Sequence, residues 1–331
     1  MFTSRLGAAL TAALLGTLAV GQAAKPSLQD EFSNGAKVYY RKSSTIYAKD
    51  LKSGSVQQVA SGGVGTTKIS GDGTRVLSAS RSTFKVFDVA TGNKVFEKSG
   101  LSACGGNGTA AEINWNGSRI YYVTGSKSQT KIWRMDIPGG NSQLVFTSGQ
   151  AIAAEGEFCM AKDANRFVGR YSNDKAVYVD VSHSKEGKYA SECSPCISPD
   201  GTRCGVNQNG HVDFKVYNWP QGGGSPSYWK NIDSQVGSWD NHTWSNHDDY
   251  VIDHNGKIIN VQSGNSWNAG IDGDDYIDLW VNVGPADNQA PTAPANLTVV
   301  DRGSFSVTLS WSASTDNVAV TGYLLYAGTT Q

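Results

Sequence analysis

One short pattern recurs six times between Phe32 and Gly264, and it constrains the fold more than any other feature of the chain. Each copy has an apolar residue, a Ser-Pro-Asp-Gly-like turn, a basic or polar residue, an alternating apolar run, and a second alternating run that often ends in Asp. The turns begin at Ser33, Ser70, Asn114, Ala161, Ser198 and Ser245, preceded by Phe32, Ile69, Ile113, Met160, Ile197 and Trp244. Successive starts lie 37, 44, 47, 37 and 47 residues apart, the period of a repeated sheet unit in a propeller. Runs such as Lys37-Val38-Tyr39-Tyr40, Arg75-Val76-Leu77 and Arg119-Ile120-Tyr121-Tyr122 follow the turns, and Lys85-Val86-Phe87-Asp88 and Val177-Tyr178-Val179-Asp180 typify the second runs. Short segments rich in Val, Ile, Tyr and Phe between Gly, Asn and Asp turns read as half-buried antiparallel strands. No stretch sustains a 3.6-residue period. The pattern predicts an all-β chain with a six-bladed β-propeller over residues 25–284.

Charge excludes two classes of partner. The formal net charge is −1 and no Lys/Arg cluster exceeds two residues, so there is no basic face for nucleic acid or for an anionic membrane surface. Residues 1–24 read as a signal peptide: Arg5 is a positive start, Leu6 to Val20 is apolar, and Gly21-Gln22-Ala23 offers small residues for cleavage. The expected location is secreted, extracellular or periplasmic. No later segment is long and apolar enough to span a membrane as a helix.

Five cysteines in an exported chain leave one unpaired in any disulfide scheme. Cys193 and Cys196 form a C-x-x-C with Cys204 close behind, but a second such pair is missing, which favours packing over zinc or redox chemistry. Cys204 shares a column with Val38, Val76, Ile120, Phe167 and Val251 and is expected to pack as a small apolar residue. One bridge among Cys104, Cys159 and Cys193 is compatible with their places in consecutive repeats.

The six-fold pattern resembles the propellers of the TolB and WD-repeat-like class. The segments Ile197-Ser198-Pro199-Asp200-Gly201-Thr202-Arg203 and Ile69-Ser70-Gly71-Asp72-Gly73-Thr74-Arg75 carry the resemblance, which covers 27–284. It implies the fold and little about function, because such propellers host binding, scaffolding and catalysis alike. Tyr276 to Val283 is an extra strand, expected either to complete the sixth blade or to pair with the first and close the ring. Residues 285–294 form a Pro-spaced linker. From 291 the chain resembles the start of a bacterial fibronectin type III module, on Ala290-Pro291-Thr292-Ala293-Pro294, Leu309-Ser310-Trp311, Ser314-Thr315-Asp316-Asn317 and Val320-Thr321-Gly322-Tyr323. That resemblance implies the N-terminal part of an immunoglobulin-like sandwich over 295–331, with further domains expected C-terminal to residue 331.

In a propeller, chemistry sits where the innermost strands line the axial channel, two to six residues before each turn. Those positions hold Gln29, Asp30 and Glu31; Gly65, Thr66 and Thr67; Asn107, Thr109 and Glu112; Glu155 and Glu157; Glu192 and Ser194; and Asp240, Asn241 and His242. Glu155, Glu192, Asp240 and His242 are candidates for a divalent-cation site or for acid–base work on a sugar, against the alternative of a solvated polar channel. The Asp272-Gly273-Asp274-Asp275 run, with Asp278 nearby, is a candidate for Ca2+, but its spacing is not that of a known calcium loop, which favours a solvated acidic turn. Trp219, Trp229, Trp239, Trp244 and Trp267 are interleaved with Asn, Asp, His and Ser, a mixture suited to stacking on sugar rings, although packing between blades is the expected role of most of the five. Trp244 is expected in the core, and Trp229 and Trp239 in an exposed inter-blade region. The ligand-binding candidates are therefore Asn107, Glu157, Trp229, Trp239 and Asn241. Two functions follow: a non-catalytic binding or scaffold module for polysaccharide or an extracellular protein, with no cofactor, or a polysaccharide lyase or hydrolase using Glu155, Glu192, Asp240 and His242, with or without a divalent metal. The single His among mostly acidic channel positions favours the first.

Overall fold

The computed structural model describes residues 25–106, 108–171, 175–208, 211–220, 222–233, 242–271, 277–282, 291–303, 306–316, 320 and 323. The signal-peptide segment, Asn107, Trp239, Asp240, Asn241 and the Asp272–Asp275 run lie outside them, as do Thr321, Gly322 and residues 324–331. The chain divides into two units, Pro26–Asn282 and a second that includes the segment from Val283 onward.

Pro26–Asn282 is a six-bladed propeller of four-stranded antiparallel sheets. Blades 2 to 6 each take four consecutive strands, beginning with innermost strands Thr66–Ile69, Ala111–Ile113, Phe158–Met160, Cys196–Ile197 and Thr243–Trp244. Blade 1 is built differently. Its innermost strand is Asp278–Val281, from the far end of the unit, paired antiparallel with Ala36–Lys42 in the register Val38↔Leu279. This closes the ring between chain ends and decides the open question about the Tyr276–Val283 segment. It also corrects the expected first channel positions: Asp30 and Glu31 lie in a one-turn helix, Leu28–Glu31, outside the channel wall. Glu31 instead accepts hydrogen bonds from the Tyr250 hydroxyl at 2.7 Å and Asn260 at 3.1 Å.

The repeated turn has a local cause. In the second repeat the Ser70 hydroxyl donates to Asp72 at 2.6 Å, accepts from the Arg75 N–H at 3.0 Å, and leaves Asp72 to accept from the Thr74 N–H. Ser198, Asp200, Thr202 and Arg203 repeat these bonds in the fifth. Both turns pass through a left-handed glycine, Gly73 at φ 73° and Gly201 at φ 69°, where a side chain would be strained. The basic residue after the turn lies opposite the Asp that ends the next strand: Arg75↔Asp88, Arg119↔Asp136 and Arg166↔Asp180. Each of these pairs is ionic, Arg119–Asp136 at 2.8 Å. The basic and acidic ends of the sequence motif are thus the two partners of one cross-strand pair, formed in three blades.

Apolar faces of neighbouring blades pack on one another and bury Trp219, Trp244 and Trp267. All five cysteines are buried and unbridged, so the expected bridge among Cys104, Cys159 and Cys193 is not formed. Cys204 is fully buried in the apolar cluster between blades 4, 5 and 6, as its column predicts.

In the second unit, Ala295–Arg302 pairs antiparallel with Val307–Ser312. The Trp311 and Tyr323 rings meet edge to face at 5.3 Å, and the Tyr323 hydroxyl accepts from the Ser314 N–H. Among the described residues no helix is long and apolar enough to cross a membrane.

Candidate functional site

Strand register places one residue of each blade on a common tier around the axis. Val38, Val76, Ile120, Phe167, Cys204 and Val251 face Leu279, Ile69, Ile113, Met160, Ile197 and Trp244. The residue before each of the latter is Asp278, Lys68, Glu112, Cys159, Cys196 or Thr243. Lys68 dominates this tier. Its Nζ is 2.7 Å from Glu112 Oε1 on blade 3 and donates to Thr243 Oγ1 at 3.0 Å on blade 6. Blades 3 and 6 face each other across the ring, so the ammonium held between Glu112 and Thr243 lies at the axis and closes the bore.

The electrostatics follow from burial. Desolvation works against the Lys68 ammonium, but the carboxylates of Glu112 and Asp278 outweigh it and hold the group above its ordinary value. Burial lifts the Glu112 carboxyl while Lys68 pulls it back; at 2.7 Å we read this pair as charged. Asp278 is pushed up to about 7 by burial, with Lys68 opposing and Glu112 adding to the rise, even though it accepts from the Ile69 and Leu279 N–H groups. Burial pushes the Cys159 thiol up to about 12. With Lys68 paired to Glu112 and Asp278 protonated below about pH 7, the tier is a buried cluster without net charge there.

Two cavities abut the tier. At the strand-start end, one of about 40 Å3 is lined by Thr66, Lys68, Thr109, Glu157, His242 and Thr243, among others. At the turn end, one of about 70 Å3 is lined by Glu112, Cys159, Thr243, Asp278, Trp115 and Lys162, among others. There the Lys162 ammonium sits 3.8 Å over the Trp115 ring.

The structure brings together some of the sequence candidates and separates others. Glu155 and Glu157 meet at Arg170, whose Nε is 3.4 Å from Glu155 and whose Nη1 donates to Glu157 at 3.0 Å. Glu157 also accepts from the Ser194 N–H at 2.8 Å, and His242 Nδ1 is 3.3 Å from the Ser194 carbonyl oxygen. Glu192 is held elsewhere, 3.5 Å from Lys215 and accepting from the Ser191 N–H. Among the described residues no three His, Cys, Asp or Glu side chains converge as metal ligands. Trp229 is half-buried on the outermost strand of blade 5, Ser227–Asp233, between Lys230 and Arg203, so it shares no site with the channel residues. Lys68 and Arg170 carry no expectation from the sequence, and Asp278, expected beside a solvated acidic turn, is instead buried in the closing strand. Lys68 had a readable signal, since it occupies the same place before the turn as Glu112. Arg170 lies on the second strand of blade 4, Arg166–Tyr171, and reaches the channel acids from outside the innermost strand.

No family model matches the chain. A stretch of 43 residues is 63% identical to chitinase A1 of Niallia circulans, and one of 41 residues is 63% identical to exoglucanase A of Cellulomonas fimi. A third, of 40 residues, is 52% identical to an alpha-amylase of Niallia circulans. These matches take 13%, 12% and 12% of this chain and span only 6%, 5% and 3% of those proteins. TolB from Acinetobacter baumannii aligns over 75% of this chain and 67% of its own, with a TM-score of 0.52 and 12% identity. A chain of a nidogen/laminin complex aligns over 75% and 99%, with a TM-score of 0.52 and 10% identity. These likenesses show the propeller fold.

Proposed function

We propose that the propeller is a non-catalytic carbohydrate-binding module of an exported multidomain protein, with its ligand at the strand-start face of the axial channel. The observation that carries this reading is the pairing of every described candidate acid with a cation. Arg170 holds Glu155 and Glu157, Lys127 reaches Glu155 at 3.1 Å, and Lys215 holds Glu192. A general acid needs an environment that keeps it protonated, and a general base needs a free carboxylate aimed at substrate. Ion-paired carboxylates with fixed geometry serve hydrogen bonding to hydroxyls better than they serve proton transfer. This arrangement favours binding over the lyase or hydrolase reading.

The short matches to a chitinase, an exoglucanase and an alpha-amylase support polysaccharide over a protein partner. Their length, about forty residues, is that of the chain from Pro291 onward. We read that segment as a fibronectin type III spacer shared with such proteins. Retention of the purified chain on insoluble chitin, cellulose and starch tests the reading. Retention on at least one polymer is expected, weakened in Glu155→Gln and intact in Trp229→Ala. Failure on all three would point to a protein partner instead. Metal analysis is expected to show no stoichiometric divalent transition metal. One bound, and lost in Glu192→Ala, would restore the enzyme.

A further inference from the structure

The channel is blind, and we infer that its strand-start cavity receives the end of a sugar chain rather than an internal stretch. This rests on the binding reading above and adds which part of the polymer is recognised. A polymer threading a propeller needs an open bore. Here the Lys68 ammonium lies between Glu112 on blade 3 and Thr243 on the opposite blade 6, with both contacts at 3.0 Å or less. The two cavities lie on either side of this bar and share Cys159 and Thr243 as walls.

The strand-start cavity has the chemistry for neutral hydroxyls. An ammonium carries three N–H donors, and among the described residues two find acceptors, on Glu112 and Thr243. The third is available to an oxygen in the cavity that Lys68 lines. Thr66 Oγ1 accepts from the Thr109 N–H at 2.9 Å, which leaves the Thr66 proton and the Thr109 hydroxyl for a ligand. Glu157 and the His242 ring add polar groups to a lining that also includes Phe158, Pro195 and Ile277. Both charges at the wall are balanced nearby, Lys68 by Glu112 and Glu157 by Arg170. The cavity thus offers donors and acceptors without net charge, which suits sugar hydroxyls over carboxylates, phosphates or amines. Its volume of about 40 Å3 has room for two or three water-sized groups. That matches a terminal hydroxymethyl or a pair of ring hydroxyls displacing water, with the ring itself at the mouth.

The opposite cavity lacks this balance. It presents Glu112 and Asp278 from below, and Lys162 already occupies the Trp115 face that a sugar would stack on.

Competition with soluble polysaccharide tests the inference on the wild-type chain. The polymer that retains the protein is used intact and after limited endo-hydrolysis to about ten times as many chain ends per gram. End recognition makes the inhibitory mass concentration fall in proportion, about tenfold. An unchanged or higher inhibitory concentration means internal recognition and overturns the inference, leaving the binding function standing. The Thr109→Val variant removes a hydroxyl without removing the backbone bond to Thr66, and its folding is checked by thermal melting. It is expected to bind chain ends roughly 3- to 10-fold more weakly, the worth of one hydrogen bond, while Lys162→Ala binds as wild type. The reverse pattern would place the ligand in the other cavity and sink the proposal. No retention of the wild type on any polymer would remove the binding reading itself.

Discussion

Replacing Asp278 by Asn tests the buried axial cluster quantitatively. Desolvation and the nearby Glu112 carboxylate raise Asp278 from 3.8 to about 7, against the pull of Lys68. At about 1.4 kcal/mol per tenfold change in ionisation, this rise costs the folded state about 4 kcal/mol once the group is ionised. The sign is that of a raised carboxylate. Below about pH 4 both folded and unfolded chains hold the proton, and no stability is lost. Between pH 4 and about 7 the unfolded chain releases its proton first, so stability falls as pH rises. Above about 7 the loss is complete. Asn keeps an oxygen for the Ile69 N–H and does not titrate. Urea unfolding of wild type and variant, followed by tryptophan fluorescence from about pH 4.5 to 8.5, isolates Asp278 and the Glu112 and Lys68 groups coupled to it, because titrations remote from the cluster cancel in the difference. The variant should gain on wild type by about 3 kcal/mol across that range, beyond a constant offset. Parallel curves would refute the reasoning and mean that Asp278 reaches solvent or that Lys68 compensates it fully.

Three further outcomes follow from the same structure. Leu279, fully buried in the closing strand, should cost about 2–5 kcal/mol on change to Ala, whereas Leu144→Ala, half-exposed on a blade 3 outer strand, should stay within about 0.5 kcal/mol; equal costs by urea unfolding would deny ring closure its role. Lys68→Met leaves Glu112 buried without its cation and should cost about 3–5 kcal/mol, with much of the loss recovered in Lys68→Met/Glu112→Leu; a single variant as stable as wild type would remove the ion pair from the core. Gly71→Ala would put a methyl 2.3 Å from the Trp115 ring and should destabilise by about 1–3 kcal/mol, read as a lower melting temperature.

The sequence by itself determined the blades. Turn chemistry at Ser70-Gly71-Asp72-Gly73 and Ser198-Pro199-Asp200-Gly201, the two-residue alternation and the Arg-to-Asp spacing are local, so each repeat states them independently. The periodicity also made Cys204 and Trp244 legible as core. The axis is another matter. Asp278 joins the site only because Asp278–Val281 pairs with Ala36–Lys42, more than two hundred residues away in the chain, and no local signal chooses between the first and sixth blades. Lys68 likewise gathers Glu112 and Thr243, from opposite blades, onto one ammonium through the curvature of the whole ring. Glu155 and Glu192 look alike in sequence, yet side-chain reach hands one to Arg170 and the other to Lys215. Backbone hydrogen bonds between adjacent strands write themselves into local pattern; contacts between side chains from distant blades depend on closure, and closure is a property of the assembled ring.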